Sequence, residues 1–190
     1  MFVILNRGGE EGVYSNKLEY SLQEMNEISV EELLAEYHRQ IYVYCYNILR
    51  NAHDAEEAVQ EVFLKAYESN KIREIENHSA WLYKIAYNHC INKVRRKALI
   101  EFIPFTEKNR PRENIQYEQQ LEDFELDYIL SKLTAKERAL IVLRIKEDKD
   151  FAEIATILTI SIPTARKRFE RVKLKVKKII EGRVENEGED

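Results

Sequence analysis

Glycine is scarce in this chain of 190 residues: five in all, at positions 8, 9, 12, 182 and 188, with none between Val13 and Glu181. Phosphate-cradling loops and dinucleotide fingerprints need glycine so that the backbone can approach a ligand closely, and both are excluded. Hairpin-rich β structure, whose tight turns favour glycine, is disfavoured by the same absence. Proline is rarer still, and two of the three, Pro104 and Pro111, fall in one short stretch. The only cysteines are Cys45 and Cys90, each at an apolar position of a predicted helix. They read as small buried residues rather than a disulfide framework. The histidines at 38, 53, 78 and 89 show no metal-ligand spacing with them. No apolar run is long enough for a bilayer, and Met1–Leu5 is too short and wrongly flanked for a signal peptide. A cytosolic protein without direct membrane insertion is expected. No nucleophile–base spacing or cofactor motif is present, so neither an enzyme nor a cofactor or metal is expected.

What is present is helical periodicity. The apolar fraction is 44% and the charged fraction 34%, a mixture suited to amphipathic helices. The fold class expected is all-α, two small helical domains joined by a linker. Residues 1–27, with the cluster Arg7-Gly8-Gly9-Glu10-Glu11-Gly12, read as a flexible extension. A translated ribosome-binding site, with the start at Val13 or Met25, is an alternative that intact mass would test. Order is expected from Ser29, an N-cap with Glu32 at the capping-box position. Leu33, Leu34, Tyr37, Ile41, Tyr44, Cys45, Ile48 and Leu49 then form a helical apolar stripe. Asn51 is expected to close that helix in a left-handed turn. Asp54 and Glu57 are expected to cap the next, whose inward face is Ala55, Ala58, Val59, Val62, Phe63, Ala66 and Tyr67. After a polar loop, Ser79 opens a third helix with Trp81, Leu82, Ile85, Ala86, Cys90 and Val94 inward. The first domain spans 28–98. Periodicity lapses over the linker, 99–121. It resumes around Gln120 with Phe124, Leu126, Ile129, Leu130 and Leu133. The box Thr134/Glu137 then opens a helix carrying Leu140, Ile141, Leu143 and Ile145. The second domain spans 122–182, and an acidic tail at 183–190, part of a Glu181–Asp190 run, is expected to be disordered.

The net charge of −4 conceals segregation. Residues 122–180 hold 14 Lys and Arg against 10 acids, while 181–190 hold one Arg against five acids. The overall acidity therefore leaves phosphate contact open, because local basic surface decides it. The richest stretch is 150–178. Asp150 with Glu153 makes a capping box, and Ile154, Ala155 and Leu158 form a small apolar face. Ser161 caps a second helix with Pro163 in its first turn. That helix carries Arg166, Lys167, Arg168, Arg171, Lys173, Lys175, Lys177 and Lys178, interleaved with apolar Ala165, Phe169, Val172, Val176 and Ile179. A helix-turn-helix that lays its second helix in the major groove has this form.

Three motifs occur in order: DAEEAVQEVFLKAY at 54–67, AWLYKIAYN at 80–88, and FAEIA at 151–155 followed by ISIPTARKR at 160–168. Together they resemble the bacterial RNA polymerase sigma factors of the extracytoplasmic function (ECF) class, over roughly residues 28–180. The resemblance implies a σ2-like domain, Ile28–Ala98, in which Glu57, Gln60 and Glu61 dock on the β′ coiled coil of core RNA polymerase. It implies that the loop Lys71–His78 and the helix after it meet the −10 element of promoter DNA and hold its melted strand. There Lys84, Lys93, Arg95 and Arg96 suit phosphates and Asn88 and Asn92 suit base edges. Tyr83 and Tyr87 suit stacking of an unpaired base, an interaction worth about 1–3 kcal/mol. For these two tyrosines, core packing is an equally open reading; for Trp81 core packing is the better one. The resemblance further implies a σ4-like domain, Glu122–Ile180, that reads the −35 element and meets the β flap. Ser161 opens its recognition helix, Thr164, Arg166, Lys167 and Arg168 match reading positions, and Arg171, Lys173 and Lys175 suit phosphates. It implies an anti-sigma factor as a further partner. Relatives often carry glycine where Thr159 and Pro163 stand. A left-handed threonine costs roughly 1–2 kcal/mol, which leaves another turn shape open. A stand-alone helix-turn-helix regulator is the competing function, but it would not need the 54–67 and 80–97 helices.

Overall fold

The computed structural model describes residues 29–69, 72–101 and 122–187, and every regular element among them is a helix. The extension 1–27 and most of the linker lie outside the described residues, as does the end of the tail. Helix α1 spans Val30–Leu49 and opens with the expected box: the Glu32 backbone N–H donates to the Ser29 hydroxyl at 3.1 Å, and the Ser29 N–H donates to the Glu32 carboxylate at 2.9 Å. Its end differs from expectation by one residue. Arg50, not Asn51, takes the left-handed turn at φ 58°, with its N–H bonded to the Tyr46 carbonyl at 2.7 Å. Asn51 is extended, and its amide oxygen accepts the Asp54 N–H at 2.8 Å. It therefore caps α2, Ala52–Tyr67, and Asp54 sits one turn inside rather than at the cap. Likewise Asn77, not Ser79, caps α3, accepting the Ala80 N–H at 2.8 Å. Helix α3 spans His78–Glu101, overrunning the expected boundary at 98, because no breaker occurs before Pro104.

In the C-terminal half, α4 spans Glu122–Ser131 and α5 spans Ala135–Ile141, the latter opened by the predicted Thr134/Glu137 box. Five residues of π-helix, Val142–Lys146, follow. The Glu147 N–H reaches back to the Val142 carbonyl, five residues away, at 3.0 Å. This wider turn shifts the helical phase. Val142 is buried as a result, and Ile145, expected inward, is exposed. Helix α6 is Phe151–Leu158 and α7 is Ile162–Glu187. Helix α7 therefore runs through the tail expected to be disordered as far as Glu187, supported by a Lys177–Glu181 pair at 3.6 Å.

Helices α1, α2 and α3 pack as a three-helix unit, and α5, α6 and α7 form a second. Leu34 and Tyr67, both expected inward, are exposed instead. They lie near the start of α1 and at the end of α2, the open end of that hairpin, where the described residues leave them exposed. Leu126 is also exposed, while the side chain of Phe124 lies outside the described residues. Trp81 packs partly against the core, as expected. Cys45 and Cys90 are free, fully buried and in contact, and the Cys45 thiol is pushed well up, first by its bond to Cys90 and then by burial. The two units are not separate bodies. Helices α5 and α6 pack on α1 and α3, and one apolar cluster runs from Leu33 through Tyr83 and Leu143 to Val172.

Candidate nucleic-acid interface

The α3 sequence divides its surface at three- and four-residue spacing. Lys84, Asn88, Asn92 and Arg95 lie on one side, with Asn88, Asn92, Arg95 and neighbouring Arg96 exposed and Lys84 half-buried. These are residues for which the sequence suggested contact with DNA. Lys93 is different. Its ammonium lies 2.5 Å from Glu57 and 3.2 Å from Asp54, and Lys97 also bonds Asp54. Burial alone would lower the pKa of Lys93, but the bonds to Glu57 and Asp54 outweigh it and raise it. Lys93 thus anchors α3 to the start of α2, and as the chain stands it is not a free phosphate ligand. On α2, Glu57 and Gln60 are exposed and Glu61 is half-exposed; Leu64 and Tyr67 extend this face with apolar surface.

The two tyrosines lie on the other side of α3. Tyr83 is fully buried, edge-on to Tyr44 with ring centroids 5.0 Å apart. Its hydroxyl donates to Glu147 at 2.5 Å, and the Lys149 ammonium stands 5.6 Å from its ring centroid. Burial first, and then the bond to Glu147, push the Tyr83 pKa far up, so the phenol stays protonated. Tyr87 is 8% exposed and also raised by burial, opposed by nearby Arg168. Neither ring offers a free face for a base in this conformation. The core-packing reading describes them here: Tyr44 of α1 packs on Tyr83, the segment Glu147–Lys149 reaches over it, and α5 and α6 pack on α3.

The helix-turn-helix forms as its sequence dictates. The Asp150 carboxylate accepts the N–H groups of Ala152 and Glu153, both at 2.8 Å, and the Asp150 N–H donates to Glu153 at 3.1 Å. Thr159 takes left-handed geometry at φ 54°, so the turn keeps the shape glycine would favour, and the Ile160 N–H closes it on the Ala155 carbonyl at 2.9 Å. The Thr164 N–H donates to the Ser161 hydroxyl at 3.3 Å, starting α7. Phe151 braces the two helices, edge-on to Phe169 at 5.7 Å. Arg144 and Arg166 stack on Phe151 at 5.4 and 5.5 Å, which orients Arg166 while leaving it exposed. Lys167, Arg168, Arg171 and Lys173 are exposed and Thr164 is half-buried. Lys173 pairs with Glu170 at 2.9 Å. Lys175, expected to hold phosphate, is 2.8 Å from the capping residue Glu137 and ties α7 to α5. Arg168 and Arg171 line a cavity of about 220 Å³ with Tyr87, Lys136, Leu140 and Leu158, between α3 and the second unit.

Comparison with known proteins accounts for both units. Residues 33–100 match the family described as Sigma-70 region 2, and residues 123–176 match Sigma-70, region 4. The chain is 32% identical over 150 residues to the ECF RNA polymerase sigma factor SigW of Bacillus subtilis, covering 71% of this chain and 80% of that protein. The protein belongs to the ECF sigma factors. It is also 30% identical to the ECF RNA polymerase sigma factor SigE of Mycolicibacterium smegmatis, over 75% of this chain and 58% of that longer protein. The fold is similar to that of the sigma factor RpoE of Bartonella quintana, solved in complex with the anti-sigma factor NepR. That match has a TM-score of 0.62 at 21% identity and covers 80% of this chain and 96% of that one. A sigma factor directs transcription initiation through core RNA polymerase and promoter DNA. No described helix of this sigma factor is long and apolar enough to cross a membrane. Among the described residues no cluster of acids, histidines and cysteines could hold a metal ion.

Proposed function

We propose that this sigma factor contacts promoter DNA through two surfaces and core polymerase through a third. The α3 stripe of Lys84, Asn88, Asn92, Arg95 and Arg96 follows the −10 region, amides toward base edges and cations toward phosphates. Tyr83 and Tyr87 join it once α5 and α6 leave that side of α3. The start of α7 reads the −35 element through Thr164, Arg166, Lys167 and Arg168, with Ser161 capping the helix and Arg171 and Lys173 on the flanking phosphates. Glu57, Gln60 and Glu61, extended by exposed Leu64 and Tyr67, form the polymerase-docking face on the β′ coiled coil, and the second unit meets the β flap. The two units are assigned to residues 28–98 and 122–182, joined by the linker 99–121, with α3 and α7 running a few residues beyond each. The chain performs no catalysis of its own and works in the cytoplasm, where the polymerase is. An anti-sigma factor is its expected regulator, by analogy with the RpoE–NepR pair.

The observation that carries this reading is the exposed α3 stripe and the exposed, Phe151-oriented Arg166 on one chain, since a regulator using the helix-turn-helix alone has no need of the stripe. Run-off transcription tests it. Adding the protein to core polymerase on genomic templates should produce discrete transcripts, and no stimulation on any promoter would refute it.

A further inference from the structure

Among the cations of α7, Arg166 is held in a way that leaves its donors free. Lys173 and Lys175 commit their ammonium groups to Glu170 and Glu137, at 2.9 and 2.8 Å. Arg166 instead stands over the Phe151 ring, 5.5 Å from its centroid, and no carboxylate or carbonyl among the described residues bonds it. A ring contact engages the flat face of a guanidinium and leaves the N–H groups along its edge available to a base. It also restricts the side chain before DNA arrives, so less freedom is lost on binding.

The ring itself is fixed from several sides. Phe151 opens α6 directly after the Asp150 cap and is half-buried. Phe169 meets it edge-on at 5.7 Å, with 67° between the planes. Arg144 stands 5.4 Å from its centroid and is held in turn by the Lys149 carbonyl at 3.1 Å and the Asp148 carboxylate at 3.3 Å. Arg144 belongs to the π-helical turn Val142–Lys146, so the altered phase of that turn helps to set where its side chain leaves the helix. Three elements thus converge on one ring: the π turn, α6 and α7. Of the reading positions Thr164, Arg166, Lys167 and Arg168, Arg166 is the one with an aromatic ring contact among the described residues.

We propose that Phe151 is a positioning residue for −35 recognition. Held by Arg144 and Phe169, its ring sets the plane of the Arg166 guanidinium and so determines how sharply this sigma factor discriminates at one base position. The inference rests on the reading role proposed for Arg166. Discrimination by arginine needs its planar fork aligned with two acceptors on a base edge, whereas a phosphate accepts a cation in many orientations. Loss of the ring therefore removes sequence discrimination at that position and leaves the charge in place.

The test uses the full chain assembled with core polymerase and a duplex promoter library randomised across the −35 region, with bound and unbound DNA sequenced. Phe151→Leu removes the ring and keeps an apolar side chain, and Phe151→Tyr keeps the ring. Helicity by circular dichroism confirms that each variant is folded, and Phe151→Met, which fills irregular space more readily, replaces the leucine variant if that one is not. Arg166→Ala identifies the position that Arg166 reads. At that position Phe151→Leu should lower discrimination about two- to fivefold, the equivalent of one exposed cation–π contact, and leave the other positions unchanged. Phe151→Tyr should keep the wild-type preference. The double variant should discriminate no less at that position than Arg166→Ala alone, because the ring acts only through the arginine. An even loss of binding to every sequence in Phe151→Leu, as a purely structural role would give, would overturn the proposal. So would an unchanged preference in Phe151→Leu, or a relaxed one in Phe151→Tyr. If Arg166→Ala relaxes the preference and Phe151→Leu does not, the positioning role alone falls. If Arg166→Ala changes no position, the reading role of Arg166 falls and this inference with it.

Discussion

Replacing Arg138 with alanine probes how the two units are joined. The guanidinium of Arg138 donates through Nε to the Ile48 carbonyl at 3.0 Å and again through Nη2 at 2.5 Å. Nη1 donates to the Leu133 carbonyl at 2.6 Å and, at the limit of bonding, to the Leu130 carbonyl at 3.5 Å. Ile48 lies in the last turn of α1, where carbonyls have no partner within the helix and the helix dipole favours a cation. Truncation leaves two well-made acceptors unpaired, at about 1–3 kcal/mol each. Two effects reduce that sum: water can reach a half-buried site, and the guanidinium's own burial cost is relieved. That cost is visible in its pKa, lowered to about 10, first by burial and then by the nearby charge of Arg50. The net loss should be about 2 kcal/mol, which moves a urea midpoint down by about 1 M if the slope is near 2 kcal/mol per molar. Arg138→Lys can reach one carbonyl but not both, and should recover about half of the loss. Because one core spans both units, the wild type should unfold in a single transition followed identically by far-ultraviolet circular dichroism and by Trp81 fluorescence. A midpoint for Arg138→Ala within error of the wild type, or full rescue by lysine, would refute the reasoning.

Other outcomes follow from the same contacts. Asp54 is held below the usual aspartate range: burial pushes its pKa up, but the bonds from Lys97 and Lys93 outweigh it. A depressed folded pKa stabilises the chain above the unfolded value near 3.9 and loses that contribution as pH falls through the folded value. Asp54→Asn should therefore be less stable at neutral pH and show a shallower loss in acid titrations of stability. His89 is likewise held below its ordinary value, chiefly by burial, with Lys65 adding to the effect. It should contribute a loss of stability that begins as pH falls below about 6.5, and His89→Gln should flatten that segment of the curve. Thr159→Gly should stabilise the chain by about 0.5–1 kcal/mol, the roughly 1–2 kcal/mol of left-handed strain less the extra freedom of glycine in the unfolded chain. Arg166→Ala should relax promoter preference at one position by about 1–3 kcal/mol in a binding selection. Lys175→Ala should instead lower stability through Glu137 and leave preference unchanged, and the reverse pattern would mean that these roles are interchanged.

The capping boxes at Ser29, Thr134 and Asp150, the apolar periodicities behind them and the scarcity of glycine were enough to make the described chain helical and to locate the helix-turn-helix. These are local properties, decided by side chains reaching backbone groups two or three residues away. The α3 stripe was legible for the same reason, since three- and four-residue spacing puts Lys84, Asn88, Asn92 and Arg95 on one side whatever surrounds the helix. Boundaries moved where neighbouring residues divided two caps, Arg50 closing α1 and Asn51 rather than Asp54 opening α2, and where a π-helical turn changed the phase and sent Ile145 outward. The fate of particular side chains was not legible when it depended on residues far along the chain. Lys93 looks like a phosphate ligand until Asp54 and Glu57 close on it from another helix, and Lys175 until Glu137 does the same. Arg138, an unremarkable base in a helical stretch, becomes one tie between the units only because the end of α1 arrives beside it. Tyr83 and Tyr87 show the division most clearly. The pattern around them suits a core and a nucleic-acid surface equally, and only tertiary packing, of Tyr44 from α1 on Tyr83 and of the second unit on α3, decides that they are covered here. Helix and motif are short-range outcomes of backbone hydrogen bonding and periodicity, whereas exposure and pairing are set by contacts between residues as much as 90 positions apart.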